Sequence, residues 1–383
     1  MTIQIKPISS EKLEQYLSVQ DLSLDPAPDR NPHAINLVYK KIKHALEELW
    51  PETEVRVIKR SPIVRGKDCY DNLLVPKDNI SRSSTYTHWV NEDKCLQTHT
   101  SAQIPDVLRE LAKNYNSWDD VTILVPGLAY RRDVWDKKHL GVLHQMDIWR
   151  IVKNDKKAKL NKADLLNMVT AIAKEVAPNW DLRIENSPHP YTNEGIEVNA
   201  THPDGRDIEI LECGLLGTEI IKLNGMDPEK VSGLAAGPGL DRLVMTLKDL
   251  PDIRLLRSDN PRIKEQMYDL KKYRPVSLQP AIKRDMSYSV PKEYVDEDIS
   301  QDIENAIGDD ILSLEEIELL SETKYVELSD VARAKLGINP SQKNVLVRIT
   351  LRNLNKTLTK EEANEIYKKI YEKVNKGASG YTE

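Results

Sequence analysis

The chain has 383 residues, 39% apolar and 30% charged, with a formal net charge of −6, a length that suggests two or three domains at roughly 100–200 residues each. No run approaches the ~18 unbroken apolar residues of a membrane span, and the acidic balance excludes a protein that coats nucleic acid by bulk electrostatics, which needs a broad positive field. Cys69, Cys95 and Cys213 are too few and too scattered for a disulfide framework or a Cys-based zinc site, and there is no phenylalanine beside fifteen tyrosines and six tryptophans.

The opening MTIQIKPISSEKLEQYL has neither the apolar core of a secretory signal nor the Arg-rich, acid-poor character of a transit peptide. The expectation is a cytoplasmic protein, or an organellar one if a presequence has been removed. Ile35, Val38, Tyr39, Ile42, Ala45, Leu46 and Leu49 fall at helical spacing and Pro51 follows as a stop, so 35–50 is predicted helical. Residues 69–98 read as strand and loop. A helix then begins near Thr100 or Ser101, with Pro105 in its first turn. VTILVPGLAY (121–130) and VLHQMDIWRIV (142–152) read as antiparallel strands around a charged tip. A helix over 162–177 precedes strands near 182–185, 194–200 and 206–213, and a helix from about 239 closes the sheet.

Pro251, Pro261 and Pro275 punctuate a connector-like stretch over 250–279, of which 250–273 falls to the first domain. We expect a first domain over 1–273 and a second over 274–383. The second reads strand (280–290), helix (297–307), strand (310–320), strand (344–353) and helix (360–375), with Thr359 and Glu362 as a capping box. The fold class is α+β, the small domain being a sandwich of ferredoxin-like order.

Three segments can carry chemistry. QTHTSAQ (97–103) crowds hydroxyls and an imidazole at a helix start, where free N–H groups suit polar ligands, although an ordinary N-cap reads the same way. YRRDVWDKKHLGVLHQMDIW (130–149) places two arginines at a strand end, where they can hold phosphate bidentately. It also sets Gln145 and Asp147 at one strand parity inside an apolar strand, where buried polar groups need partners. GLAAGPGLDRLVM (233–245) is a Gly-rich strand-to-helix passage without the Walker or dinucleotide spacing. No Ser–His–Asp or HExxH arrangement is evident.

In this order, THTS (98–101), YRRD with HQMD (130–133 and 144–147), GLDRLVM (239–245) and the following DIRLL resemble the catalytic core of phenylalanyl-tRNA synthetases, especially the monomeric organellar type. QPAIKRDMSYSVP (279–291) is similar to the opening of that family's ferredoxin-like anticodon-binding domain. The resemblance implies a class II antiparallel-sheet catalytic domain flanked by helices. It implies activation of phenylalanine or a close aromatic amino acid by ATP and Mg²⁺, and transfer to tRNA, the phenylalanine acceptor first among them. It further implies Arg131 on the α-phosphate and Arg242 on the far phosphates or the adenine face, both catalytic by neutralising charge. His139 would lie near the leaving pyrophosphate; Leu143, Gly237 and Gly239 would line the ATP site. His99, Ser101 and Asp133 would receive the substrate's amino group and Gln145 its carboxylate. Asp147 stands where the family has Glu, Glu209 aligns with a carboxylate near the metal, and Ala235 leaves room at the ring's para position.

Departures from the pattern are concentrated at aromatic sites. His189-Pro190-Tyr191 replaces a Phe-Pro-Phe wall against the substrate ring, and Leu143 replaces the Phe expected to stack on adenine. A polar pocket selects for a matching group much more sharply than an apolar one, so tyrosine or another aromatic amino acid stays open, as do an inactive paralogue that binds tRNA and an enzyme with a non-tRNA acceptor. Residues 343–376 hold nine Lys or Arg and four Glu, and Arg348, Arg352 and Lys356 are the expected tRNA contacts, although a solvated helix face would look similar. No editing module or N-terminal coiled coil is visible, which is consistent with a monomer.

Overall fold

The computed structural model describes residues 5–27, 30–132, 137, 139–201, 205, 207–276, 280–353 and 356–379. The chain divides into two compact units, one of 1–131, 142–250 and 266–272 and the other of 132–141, 251–265 and 273–383.

The first unit is built on a seven-stranded sheet. Its strands are β1 (Glu54–Val57), β4 (Asp120–Tyr130), β5 (Val142–Lys153), β6 (Asp181–Asn186), β7 (Thr192–Thr201), β8 (Asp207–Leu216) and β9 (Val231–Pro238); β2 (Ile63–Arg65) and β3 (Lys94–Leu96) form a separate two-stranded sheet. The order is β1-β4-β5-β9-β8-β7-β6, with β1 and β4 parallel and every other pairing antiparallel. Strands β4 and β5 read as near-continuous apolar runs because both faces are covered. Ile104, Val107, Leu108 and Leu111 of helix Ile104–Lys113 pack with Val121, Ile123 and Val125 of β4 and Trp149 and Ile151 of β5. Helix Ala34–Leu49 packs against helix Lys162–Val176. The first ends before Pro51, which cannot continue it. The second starts on an Asn161–Asp164 capping box.

The second unit carries β10 (Ile282–Pro291), β11 (Leu314–Lys324) and β12 (Gln342–Leu351) in the order β10-β12-β11, both pairings antiparallel. Helices Asp296–Ile307 and Lys360–Val374 contribute Ile299, Ile303, Ile366, Tyr367 and Ile370 to one core with Val345, Val347, Ile349 and Leu351 of β12. The chain order β–α–β–β–α, with β12 inserted between the parallel pair β10 and β11, is that of the split βαβ up to its last strand. A short helix, Asp330–Leu336, lies between β11 and β12 and was not anticipated from the sequence. The Thr359–Glu362 box is formed: the Glu362 N–H donates to Thr359 Oγ1 at 3.1 Å and the Thr359 N–H donates to Glu362 Oε2 at 2.9 Å.

Candidate active site

The site is a face of the seven-stranded sheet from which side chains have been removed. On β9, Ala235 and Gly237 share a parity, followed by Gly239; on β8, Gly214 lies opposite Ala235. The glycines differ in what they do. A Cβ at Gly233 would lie 2.5 Å from Leu216 and 2.8 Å from the Arg150 carbonyl, and one at Gly214 would lie 2.6 Å from Thr192, so sheet packing requires both. A Cβ at Gly239 would meet nothing within 4 Å, and one at Gly237 would make only ordinary contact with Gln145. Gly237 and Gly239 therefore leave open space that the described residues do not fill.

Along one side of this floor runs β5, whose period of two places Gln145, Asp147 and Trp149 on one face. Trp149 pairs with Ala235, and Gln145 forms a bridge with Gly239. Asp147 is buried and is the hub: Thr100 and Ser101 donate to its Oδ2 at 2.9 and 2.8 Å, and Trp149 Nε1 donates to Oδ1 at 3.1 Å. Burial raises its pKa, and the hydrogen bonds from Trp149, Ser101 and Thr100, with the charge of His99, recover only part of that shift.

The THTS segment is fixed to the end of β4 by its own neighbours. Gln97 accepts the Tyr130 N–H on its carbonyl at 2.9 Å and donates from Nε2 to the Leu128 carbonyl at 2.7 Å. Arg131 Nε then donates to the Thr98 carbonyl at 2.8 Å. His99 Nδ1 and Gln145 Oε1 are buried atoms with no hydrogen-bond partner among the described residues. Two orphaned polar atoms beside an open floor are what a polar ligand would satisfy.

The opposite rim is acidic. Glu212 pairs with Gly237 across β8 and β9 and with Glu197 across β7 and β8. Glu209 has the wrong parity to join them in a regular strand, but the register shifts between Val198 and Asn199 and turns it onto the same side. Arg242, in the first turn of helix Leu240–Leu247, reaches Glu209 Oε2 at 2.9 Å. Burial raises the Glu209 carboxyl; Arg242 opposes this, while Glu212 and Glu197 add to it.

His189 Nε2 lies 3.1 Å from Glu212 Oε2, an ion-pair distance without hydrogen-bond alignment. The imidazole holds Glu212 below the usual carboxylate value against burial. Tyr191 stacks on Trp149, with ring centroids 5.3 Å apart and an interplanar angle of 24°. Burial, then the charge of Asp147, pushes its phenol pKa up, while a hydrogen bond with Ser101 works the other way.

The first unit thus brings together His99, Ser101, Arg131, Gln145, Asp147, His189, Tyr191, Glu209, Ala235, Gly237, Gly239 and Arg242. Leu143 is half-buried on β5 opposite Ala129. His139 belongs to the second unit, within 132–141, and Asp133 lies outside the described residues. Ile104 is fully buried in the apolar core, and the adjacent Gln103 donates to Gln97 Oε1 at 2.8 Å.

Besides Glu197 and Glu212 of the acidic rim, two contributors were not picked out from the sequence. Trp149 was legible in principle, because it continues the parity of Gln145 and Asp147. The other is His144 with Asp241. His144 is fully buried, its Nδ1 is 2.9 Å from Asp241 Oδ1, and its Nε2 accepts the Leu22 N–H at 3.0 Å. That pair ties β5 to the helix that carries Arg242, and only the fold brings the two motifs together.

In the second unit the expected tRNA contacts sit on carboxylates. Arg348 binds Asp285 through two bonds of 2.8 and 3.0 Å, Arg352 binds Glu315, and Lys356 Nζ is 2.5 Å from Glu362 Oε1.

The family profile of the tRNA synthetase class II core domain (F) matches residues 21–267. The chain is 28% identical over 357 residues to the chloroplastic/mitochondrial phenylalanine–tRNA ligase of Arabidopsis thaliana, covering 91% of this chain and 77% of that one. It is 27% identical over 364 residues to a probable mitochondrial phenylalanine–tRNA ligase of Drosophila melanogaster (81% and 75% covered). With the mitochondrial phenylalanine–tRNA ligase of Saccharomyces cerevisiae it shares 25% over 393 residues (82% and 80%). Among solved structures, the pyrrolysyl-tRNA synthetase of Desulfitobacterium hafniense is 18% identical with a TM-score of 0.46, covering 65% of this chain and 78% of that one.

Proposed function

The chain belongs to the class II core domain family of tRNA synthetases, and from that premise we propose that it is a phenylalanine–tRNA ligase, activating phenylalanine with ATP and transferring it to tRNA. The relatives that align over most of their length carry that name. The observation that carries the reading in the chain itself is the open floor of Ala235, Gly237 and Gly239 beside the orphaned His99 Nδ1 and Gln145 Oε1.

The chemistry needs little covalent help. The amino-acid carboxylate oxygen attacks the α-phosphorus of ATP, the bond to pyrophosphate breaks, and a ribose hydroxyl of the terminal tRNA nucleotide then takes the acyl group from AMP. Catalysis is positioning and neutralisation of charge. Arg131, held at the strand end by the Thr98 carbonyl, would stabilise the α-phosphate. Arg242 would exchange Glu209 for the outer phosphates. Asp147 and Ser101 would hold the substrate's ammonium, with the free Gln145 Oε1 as a further acceptor for it; Gln145 Nε2 would donate to the carboxylate, and Tyr191, Trp149 and Ala235 would hold the ring.

Magnesium fits the acidic rim. Glu212 and Glu197 both repel the Glu209 carboxylate, and a hard cation bound by one or two carboxylates with substrate phosphates would relieve that repulsion. Glu209 would hold the ion, which would supply further neutralisation of phosphate charge.

The second unit, with residues 274–383 as its main body, we assign to tRNA, with Arg348, Arg352 and Lys356 exchanging carboxylate for phosphate partners. The acylating unit is a single chain in this reading. Because the relatives named above are chloroplastic or mitochondrial, a cytoplasmic location finds no support in them and an organellar one is favoured. The test is transfer of labelled phenylalanine from ATP-activated enzyme to tRNA. Pyrophosphate exchange without transfer would indicate a non-tRNA acceptor, and tRNA binding without exchange would indicate a paralogue that has lost the chemistry.

A further inference from the structure

Cys69 takes no part in the site as described so far, yet it touches His99 from behind. It ends the short helix Gly66–Cys69, is fully buried, and packs with Tyr70, Trp89, Cys95 and Ala102 in a small core of its own. Its sulfur lies 3.9 Å from His99 Nε2 and 3.4 Å from Thr98 Oγ1. A sulfur contact at that length is long but within the range of a weak hydrogen bond to a soft, polarizable partner. His99 Nδ1 has no partner among the described residues.

We propose that Cys69 is a positioning residue for the amino-acid site: its sulfur receives the Nε2–H of His99, fixing the ring and leaving Nδ1 as the nitrogen that meets substrate. The inference rests on the reading of His99 as a substrate-facing residue. An imidazole has two chemically distinct nitrogens, and the partner of one decides the role of the other. Without the sulfur, the ring could turn over or exchange tautomers inside the pocket.

The charges around the pair agree. Burial alone would lower the His99 pKa; Cys69 and then Asp147 outweigh it, Arg131 opposes them, and the net shift is upward. On the other partner, burial would raise the thiol, but a hydrogen bond from Cys95, the positive charge of His99 and the Thr98 hydroxyl bring it well below the ordinary thiol value. Tyr70 stands edge-on to the imidazole at 6.4 Å.

The experiment compares wild type, Cys69→Ala and Cys69→Ser in two measurements. The first is phenylalanine-dependent ATP–pyrophosphate exchange. Cys69→Ala should raise the KM for phenylalanine about three- to fivefold, the worth of a weak buried hydrogen bond, and leave the KM for ATP unchanged; Cys69→Ser, which keeps a hydrogen-bonding atom, should recover most of the loss. The second is ¹⁵N-imidazole NMR of His99, assigned with His99→Gln. In Cys69→Ala the His99 titration should move to lower pH and the tautomer should cease to be fixed. Equal rises in both KM values, or an unchanged phenylalanine KM with an unchanged His99 spectrum, would overturn the proposal. If wild-type protein gives no exchange with phenylalanine, the proposed function fails, while the NMR comparison still decides whether Cys69 holds His99.

Discussion

The two units treat the polar side chains expected to meet a ligand in opposite ways. In the first, buried polar atoms are left over: His99 Nδ1 and Gln145 Oε1 have no partner, and Gly239 faces open space. In the second, the cations that could meet RNA already hold carboxylates: Arg348 with Asp285, Arg352 with Glu315, and Lys356 with Glu362. A pocket that is waiting for its ligand carries an energetic cost that the ligand removes, because a buried polar atom without a partner is expensive. A surface that exchanges one ionic partner for another carries no such cost, and gains correspondingly less. The comparison predicts sharp losses from changes in the first unit and shallow, salt-dependent ones from changes in the second.

The largest effect is expected at the arginines. Arg131→Ala and Arg242→Ala should each lower amino-acid-dependent pyrophosphate exchange by about 10²–10³-fold, the range for losing a preorganised group on a developing charge. A loss below about fivefold for both would break the contrast, since it would mean that the phosphates are held elsewhere. Next comes the amino-acid pocket. Gln145→Leu should raise the KM for phenylalanine by about tenfold or more, as expected when a site loses its hydrogen bond to a charged group. The pH profile sharpens the same point. The Asp147 carboxyl is raised by burial and held down in part by Ser101. Its protonation should therefore set an acid limb above the ordinary aspartate range, and Ser101→Ala, which removes a stabilising donor, should move that limb to still higher pH.

Much of this was legible in the sequence because it follows from periodicity. The parity of Gln145 and Asp147 inside an apolar strand, the helix stop at Pro51 and the Thr359–Glu362 box need only local rules, and each is found as read. The first unit's chemistry was legible through ordered motifs rather than through any one of them. What could not be read depends on the fold bringing distant segments together. Cys69 meets His99 only because the helix Gly66–Cys69 packs beneath the THTS segment. Glu209 joins Glu212 only through a register shift in the sheet. His144 meets Asp241 across 97 residues. The acidic partners of Arg348 were also invisible, since Asp285 and Glu318 come from β10 and β11, on either side of β12.

A smaller effect is expected in the core of the second unit. Tyr288 is 1% exposed and its hydroxyl has no hydrogen-bond partner. Tyr288→Phe should therefore stabilise that unit by about 1 kcal/mol, up to the ~1–3 kcal/mol attached to a buried unsatisfied group, as read by the denaturant midpoint. A destabilised variant would show that the hydroxyl is satisfied in solution. The smallest effect concerns exchange itself in the second unit. Arg348→Ala, Arg352→Ala and Lys356→Ala together should leave pyrophosphate exchange unchanged, while the KM for tRNA rises several-fold and loses part of its salt dependence.

The central claim, that the first unit activates phenylalanine, is tested most directly by ATP–pyrophosphate exchange with purified protein over a panel of phenylalanine, tyrosine and related aromatic amino acids, repeated with His189→Phe and Tyr191→Phe. The account predicts exchange supported by phenylalanine in the wild type and retained in Tyr191→Phe, because the stack on Trp149 needs the ring and not the hydroxyl. Exchange supported by tyrosine and not by phenylalanine, or by no aromatic amino acid at all, would contradict it.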